Sequence, residues 1–294
     1  MQNVEHAIIL AAGQGTRMLP ASLYAPKEIL PLVDNPSLNH LIWEACRAGV
    51  KKIHIIISPR KKNIIEEALA YRTYNSESNV RPDLPNITLN PVPDGVDLIF
   101  HEQKIAGGVG DAIEIASEEI SSPFLVLLGD NLLIKSHDSI YKSGPNSASE
   151  SSKRLVEYYK KTGLSCAGVI KVEDHELQKY GVIEQENEKI INIIEKPTNE
   201  EAPSNLVLCG RYLLPSNTSE IMKLYPKNKY GELQSIELFN HIIRNNGLGY
   251  VNMSDYKLYD SGNPYSWLKS QIDHALRRED LKDEFKQWLR NRLN

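Results

Sequence analysis

The chain has 294 residues, of which 41% are apolar, 24% charged and 7% aromatic. That composition excludes disorder and fibrous repeats and suits one large α/β domain or two modest ones. At roughly 300 residues a fold buries about 75% of the surface its unfolded chain exposes, so neither a disulfide nor a structural metal is required for stability. Lys and Arg total 34 against 38 Asp and Glu, a formal charge of -4, which excludes a global pull toward nucleic acid or an acidic membrane. Any phosphate binding must be local.

Taken in chain order, short apolar runs alternate with helical periods. A strand is predicted over Ala7 to Leu10, a helix near Ser37 to Ala48, and a strand over Ile53 to Ile57. There follow a helix near Asn63 to Tyr71, a strand over Leu98 to Phe100, a helix near Gly110 to Glu119 and a strand over Phe124 to Leu128. This rhythm implies parallel βαβ units, and continuously apolar strands imply a sheet covered on both faces, with ligands beyond the carboxyl ends of the strands. After about residue 163 the β-rich runs Cys166 to Val172, Gly181 to Glu184, Ile190 to Ile194 and Val207 to Leu214 suggest hairpins and mixed sheet. Helices return near Glu220 to Leu224, Gln234 to Arg244 and Pro264 to Leu293. Two segments read as irregular exposed loops, Thr73 to Gly95 with its four prolines and Ser143 to Lys153, rich in Ser, Gly and Asn.

Three cysteines without Cys-x-x-Cys or Cys/His ligand spacing imply a reducing, cytoplasmic setting. The amino terminus lacks a basic segment followed by a signal-type apolar stretch, and no run approaches about 18 apolar residues, so a soluble, non-exported protein is expected. None of the eight histidines has a paired His or carboxylate at zinc-ligand spacing, which implies structural or surface roles.

The strongest local signal follows the first strand: Ala11-Ala12-Gly13-Gln14-Gly15-Thr16-Arg17-Met18-Leu19-Pro20, then Pro26-Lys27-Glu28. Glycines let backbone N–H groups approach phosphate oxygens closely, while Arg17 and Lys27 add fixed positive charge. It is neither a dinucleotide fingerprint, because Met18 stands where a third glycine belongs, nor a Walker loop, because no Gly-Lys-Ser/Thr follows. Leu128-Gly129-Asp130-Asn131 places a carboxylate at the carboxyl edge of the sheet, and a hard oxygen ligand there suits Mg²⁺. In Ile194-Glu195-Lys196-Pro197 the charged pair would face opposite ways in a regular strand, but Pro197 ends that strand and lets both enter one pocket.

With these motifs the sequence resembles the sugar-phosphate nucleotidyltransferases over nearly its whole length, most closely the bacterial-type UTP–glucose-1-phosphate uridylyltransferases. The resemblance implies a Rossmann-like α/β fold with a mixed, mostly parallel central sheet flanked by helices. It divides the chain into a catalytic domain over 1–263 and a helical segment over 264–294. Within the former, the nucleotide-binding half covers about 1–135 and the sugar-phosphate half about 160–263. The implied reaction joins UTP and glucose 1-phosphate into UDP-glucose and pyrophosphate with Mg²⁺, by in-line attack on the α-phosphorus.

Nucleotide-binding residues carried over by the resemblance are Ala11, Ala12, Gly13, Gly15, Thr16, Arg17, Gln103 and Gly108; catalytic residues are Arg17, Lys27 and Asp130. Gly181, Glu195 and Lys196 would bind the sugar phosphate, and Asp130 with Asp260 the metal. Gly231-Glu232-Leu233-Gln234 would shape the sugar side. The family pattern has glycine after the glutamine and lysine after the alanine where this chain has Lys104 and Gly107, so its basic group would come from elsewhere. Thymidylyl transfer from dTTP and a non-catalytic sugar-nucleotide-binding regulator are the alternatives. Relatives are commonly dimers or tetramers, so a homodimer or homotetramer is expected.

Overall fold

The computed structural model describes residues 2–70, 72–74, 87–89, 91–139, 142, 144–227, 233 and 235–293. In chain order the first elements are β1 (His6–Leu10), β2 (Pro31–Leu32), β3 (Asn35–Pro36), α1 (Ser37–Arg47), β4 (Lys52–Ile57) and α2 (Lys62–Ala68). Then come β5 (Arg72–Tyr74), β6 (Ile87–Leu89), β7 (Asp97–Glu102), α3 (Gly108–Ser117), β8 (Phe124–Leu128), β9 (Asn131–Ile134) and α4 (Ser151–Thr162). The remainder comprises β10 (Cys166–Lys171), β11 (Gly181–Glu186), β12 (Lys189–Glu195), β13 (Leu206–Leu214), α5 (Thr218–Met222), α6 (Ser235–Asn245), β14 (Leu248–Asn252), β15 (Lys257–Asp260), α7 (Pro264–Arg277) and α8 (Lys282–Leu293).

Nine strands form one sheet in the order β10-β14-β12-β11-β13-β8-β1-β4-β7. β7, β4, β1 and β8 are mutually parallel, as the βαβ rhythm predicts, so their carboxyl ends deliver four loops to one edge. β13 pairs antiparallel with β8, and beyond it, among the described residues, only β10 and β14 pair in parallel. The sheet is therefore mixed, and the mostly parallel sheet expected from sequence holds only for its amino-terminal half.

Alternation along the strands sends each apolar run to two cores. Ala7, Ile9, Ile53, Ile55, Leu125 and Leu127 pack with Leu38, Leu41, Ile42 and Ala45, the i, i+3, i+4, i+7 stripe of α1. Ile8, Ile56, Phe124 and Val126 pack on the other face with Ala112, Ile113 and Ala116 of α3 and Leu238, Phe239 and Ile242 of α6. A small antiparallel ribbon, β9 with β15, sets Asn131 opposite Asp260.

Several boundaries differ from expectation. α2 stops at Ala68. The loop expected through Lys153 gives way at Ser151 to α4, whose first two serines are buried against Glu44 rather than turned to water. The terminal helical segment is two helices, broken where the Arg278 backbone is extended and its guanidinium grips Asp34 and Asp280. Within the expected Thr73 to Gly95 loop, β5 and β6 pair antiparallel. Of the Gly231 to Gln234 motif only Leu233 lies within the described residues. Among the described residues no helix is long and apolar enough to cross a membrane.

Candidate active site

A cavity of about 500 Å³ opens beyond the carboxyl ends of β1 and β8 and is lined by Arg17, Asp130, Gly181, Glu195, Lys196 and Asp260, together with Asn131, Lys179, Tyr180, Tyr212, Asn263 and Ser266. Six residues singled out from sequence thus share one space, although they come from segments up to 243 positions apart (260 − 17).

Each is placed by local chemistry. Asp130 sits in the turn between β8 and β9, where its carbonyl accepts from the Ser261 N–H at 2.9 Å; this joins it to the Asp260 segment. Asp260 ends β15, and its Oδ1 accepts from the Gly262 N–H at 2.6 Å. A side chain at Gly262 would lie 2.7 Å from that Oδ1 and 3.0 Å from Nη2 of Arg17, so the guanidinium and the second carboxylate flank one backbone position. Asn263 then caps α7, its Oδ1 accepting from the Ser266 N–H at 3.0 Å, with Pro264 in the first turn.

On the opposite wall Gly181 pairs with Glu195 in register. Lys196 takes φ +49, a left-handed turn that Pro197 follows. That reversal puts consecutive side chains into one cavity, with Nζ of Lys196 3.5 Å from Oε1 of Glu195.

Lys27 is buried behind this cavity and donates to Oδ2 of Asp130 at 2.6 Å. Burial raises the Asp130 carboxyl, but the Lys27 charge and hydrogen bond outweigh it, and the group lies below its ordinary value. The carboxylate is therefore ionised throughout the neutral range.

Ala11, Ala12, Gly13, Gly15 and Thr16 form the loop between β1 and the turn Thr16–Met18. Gly15 has φ +66, which glycine adopts freely. Gly13 differs: a side chain there would meet no protein atom within 4 Å and its φ is ordinary, so the fold itself does not demand glycine. Gln103 and Gly108 lie together on the turn into α3 and outside the cavity lining. The Gln103 amide donates to the Gly108 carbonyl at 3.0 Å and to Oδ2 of Asp111 at 2.8 Å.

Residues 6–275 match the family model described as nucleotidyl transferase. The chain belongs to the nucleotidyl transferase family. A UTP–glucose-1-phosphate uridylyltransferase of Streptococcus pyogenes is 32% identical over 300 residues, which cover 98% of this chain and 94% of that protein. Among solved structures, a UDP-glucose pyrophosphorylase of Acinetobacter baumannii superposes with a TM-score of 0.79 at 26% identity, covering 98% of this chain and 99% of that one. A UTP-bound structure of that enzyme gives the same values.

Two residues of this nucleotidyl transferase that sequence reasoning passed over stand beside the motifs. Lys61 is buried and its ammonium contacts four oxygens: the carbonyls of Ala11 at 2.8 Å and Gly13 at 2.6 Å, and Glu28 Oε1 at 3.0 Å and Oε2 at 2.9 Å. Burial pulls the Glu28 carboxyl up and the Lys61 ammonium down, while their mutual attraction opposes both. Because a trans peptide points its C=O and N–H in opposite directions, fixing those two carbonyls turns the N–H groups of Ala12 and Gln14 away from Lys61. The second residue is Lys227, whose Nζ lies 2.7 Å from Oδ1 of Asp111. With glycine at 107, the cation at the start of α3 arrives from a distant segment. No periodicity or short motif marks either lysine.

Proposed function

We propose that this nucleotidyl transferase transfers a uridylyl group from UTP to glucose 1-phosphate, forming UDP-glucose and releasing pyrophosphate. The carrying observation is the single cavity that joins Arg17, Asp130 and Asp260 to Glu195 and Lys196. The substrates follow from the uridylyltransferase relatives, which match the chain almost end to end. The nucleotide would lie over residues 1–135 and the sugar phosphate over 160–263, with 264–294 as a helical appendage. A homodimer or homotetramer in the cytoplasm completes the proposal.

The attacking phosphate of glucose 1-phosphate is already ionised near neutral pH, so the protein needs no general base. Its task is to align two anions and offset their crowded charge. The loop Ala11, Ala12, Gly13, Gly15 and Thr16 would offer its N–H groups to the triphosphate, a role supported by the open space over Gly13, where a phosphate could approach the backbone. Arg17 receives the departing pyrophosphate. Lys27 adds positive charge for the α-phosphoryl region from behind Asp130. Gln103 and Gly108 border the base, Glu195 and Gly181 the sugar hydroxyls, and Lys196 orients the attacking phosphate.

Asp130 and Asp260 fit Mg²⁺, being two hard oxygen donors that line one cavity and are tied by the Ser261–Asp130 hydrogen bond. Bound there, the ion would neutralise charge on the phosphates and act as a Lewis acid.

The deciding test is pyrophosphate release with Mg²⁺ across UTP, dTTP, CTP, ATP and GTP against several sugar 1-phosphates. A dominant UTP–glucose pair is expected. A dominant dTTP column would move the base assignment, and an empty grid with measurable nucleotide-sugar binding would replace catalysis by sensing.

Two substitutions probe its halves. Glu195→Ala is expected to raise KM for glucose 1-phosphate about 10- to 100-fold, the order of one lost hydrogen-bonding group of about 1.5–3 kcal/mol, with the nucleotide KM within twofold. Equal changes in both constants would remove Glu195 from the sugar side. Lys61→Met should release the Ala11 and Gly13 carbonyls and raise the UTP KM about tenfold, an order suited to losing about 1.4 kcal/mol of alignment. The glucose 1-phosphate KM should stay near wild type, and Lys61→Arg should recover part of the loss. A fall in folded fraction with unchanged constants would leave Lys61 a purely structural residue.

A further inference from the structure

Three histidines far apart in sequence converge on one sheet face. Parallel pairing places Ile8 of β1 opposite His54 of β4, and Ile56 of β4 opposite His101 of β7. His6, His54 and His101 thereby form a diagonal row across three neighbouring strands. Nδ1 of His6 lies 3.0 Å from Nε2 of His54, and Nδ1 of His54 lies 2.8 Å from Nε2 of His101. Beyond the row stands Glu119, just after α3, with Oε1 4.0 Å from Nδ1 of His101. That gap is too long for a hydrogen bond.

We propose that His54, His101 and Glu119 form a binding site for a divalent transition-metal ion, with zinc the best match to a His₂-carboxylate donor set. One ligand atom from each of the three lies within 4.8 Å of the others. Zinc bonds of about 2.0–2.2 Å in a tetrahedron require ligand atoms roughly 3.3–3.6 Å apart. The 2.8 Å contact between His54 and His101 would open by roughly half an ångström to admit the ion, and the Glu119 side chain, 61% exposed and free to move, would close the rest while His54 is held in the sheet.

His54 would bind through Nδ1, because its Nε2 already faces His6. The bound tautomer then carries its proton on Nε2 and donates to Nδ1 of His6, so His6 orients the ligand in the way that outer hydrogen bonds fix metal-bound imidazoles. Burial, aided for His54 by its histidine neighbours and for His6 by Lys52, lowers these three imidazoles and keeps them neutral near pH 7. Binding through Nδ1 of His54 requires a shift of tautomer along the row. The ion would tie β4 to β7, the strands that lead to Lys61 and Gln103, and is separate from the Mg²⁺ carboxylates.

The test is calorimetric titration of metal-stripped protein with Zn²⁺ in excess Mg²⁺, with Co²⁺ absorption as a second readout, for wild type, His101→Gln and Glu119→Gln. Expected are one equivalent of Zn²⁺ per chain, a Co²⁺ spectrum of tetrahedral type, and a Tm that rises with Zn²⁺. Affinity should fall at least tenfold in each variant. Because Glu119 is exposed, Glu119→Gln remains folded even if His101→Gln does not. Absence of binding in wild type, affinity unchanged in Glu119→Gln, or a Co²⁺ spectrum like that of the hexaaqua ion would overturn the proposal.

Discussion

Asp130→Asn is expected to lower kcat of pyrophosphate release by about 10²–10³-fold, the range for removing one preorganised charge-stabilising group from a reaction centre. The Michaelis constant for glucose 1-phosphate should change little, since Glu195, Gly181 and Lys196 lie on the opposite wall. The substitution keeps the shape of the side chain and removes its charge, leaving Lys27 with a neutral partner in place of the carboxylate it holds at 2.6 Å. Asparagine also supplies one weak oxygen where Mg²⁺ would use a carboxylate. Rate measured against Mg²⁺ concentration separates these effects: loss of metal affinity moves the midpoint, whereas loss of alignment lowers the plateau. Lys27→Met provides the companion test, since it removes the charge that outweighs burial at Asp130. In wild type the depressed carboxyl contributes its stability in full above its ordinary value near 3.8, and that contribution is lost as pH falls through the lower folded value. Activity should consequently show no acid limb from Asp130 between about pH 5 and 8. A rate for Asp130→Asn within threefold of wild type would remove this carboxylate from the reaction.

How much of this was legible in the sequence depended on whether a residue's environment is set locally. β1, β4 and β8 were legible because a strand buried on both faces must be continuously apolar, and the Gly13 to Arg17 loop because it follows such a strand directly. Asp130 followed from the same rule, as the polar residue just past the last apolar position of β8. α4 was not legible. Its buried positions are Ser151, Ser152, Leu155 and Val156, and the two serines are inside only because they donate to Glu44, 107 and 108 positions away. The insertion of β14 between β10 and β12 leaves no local trace either, since register across a sheet is a tertiary property. Buried charge leaves no local signal: Glu28, Lys61, Glu44 and Arg211 have the composition of surface but are buried in mutual pairs. The histidine row was hidden for a related reason, because 48 and 47 positions separate its members and metal-ligand spacing in sequence cannot find them.

Glu44→Ala is expected to destabilise the fold by about 3–5 kcal/mol, the cost of leaving a buried charge without its partner. Arg211 is fully buried and Glu44 is 2% exposed at its side chain. Their contact is bidentate, Nε to Oε1 at 2.7 Å and Nη2 to Oε2 at 3.0 Å, and Ser151 and Ser152 also donate to Oε1. Removing the carboxylate leaves the fully buried guanidinium without a counter-charge and the buried Ser152 hydroxyl without its acceptor. Arg211 keeps only the carbonyls of Gly210 at 3.1 Å and Asn131 at 2.8 Å, which carry no compensating charge. The effect should appear as a lower urea midpoint with little change in slope. Replacing both charges, Glu44→Leu with Arg211→Met, should cost less than Glu44→Ala alone, since apolar groups of similar volume do not require the lost partner. The pair also reaches the chemistry: Nη2 of Arg211 holds the carbonyl of Asn131, next to Asp130, so folded Glu44→Ala protein should lose kcat more than substrate affinity. A Glu44→Ala midpoint equal to wild type would mean that the guanidinium finds water or another anion, and that the turn carrying Asp130 is positioned without this pair.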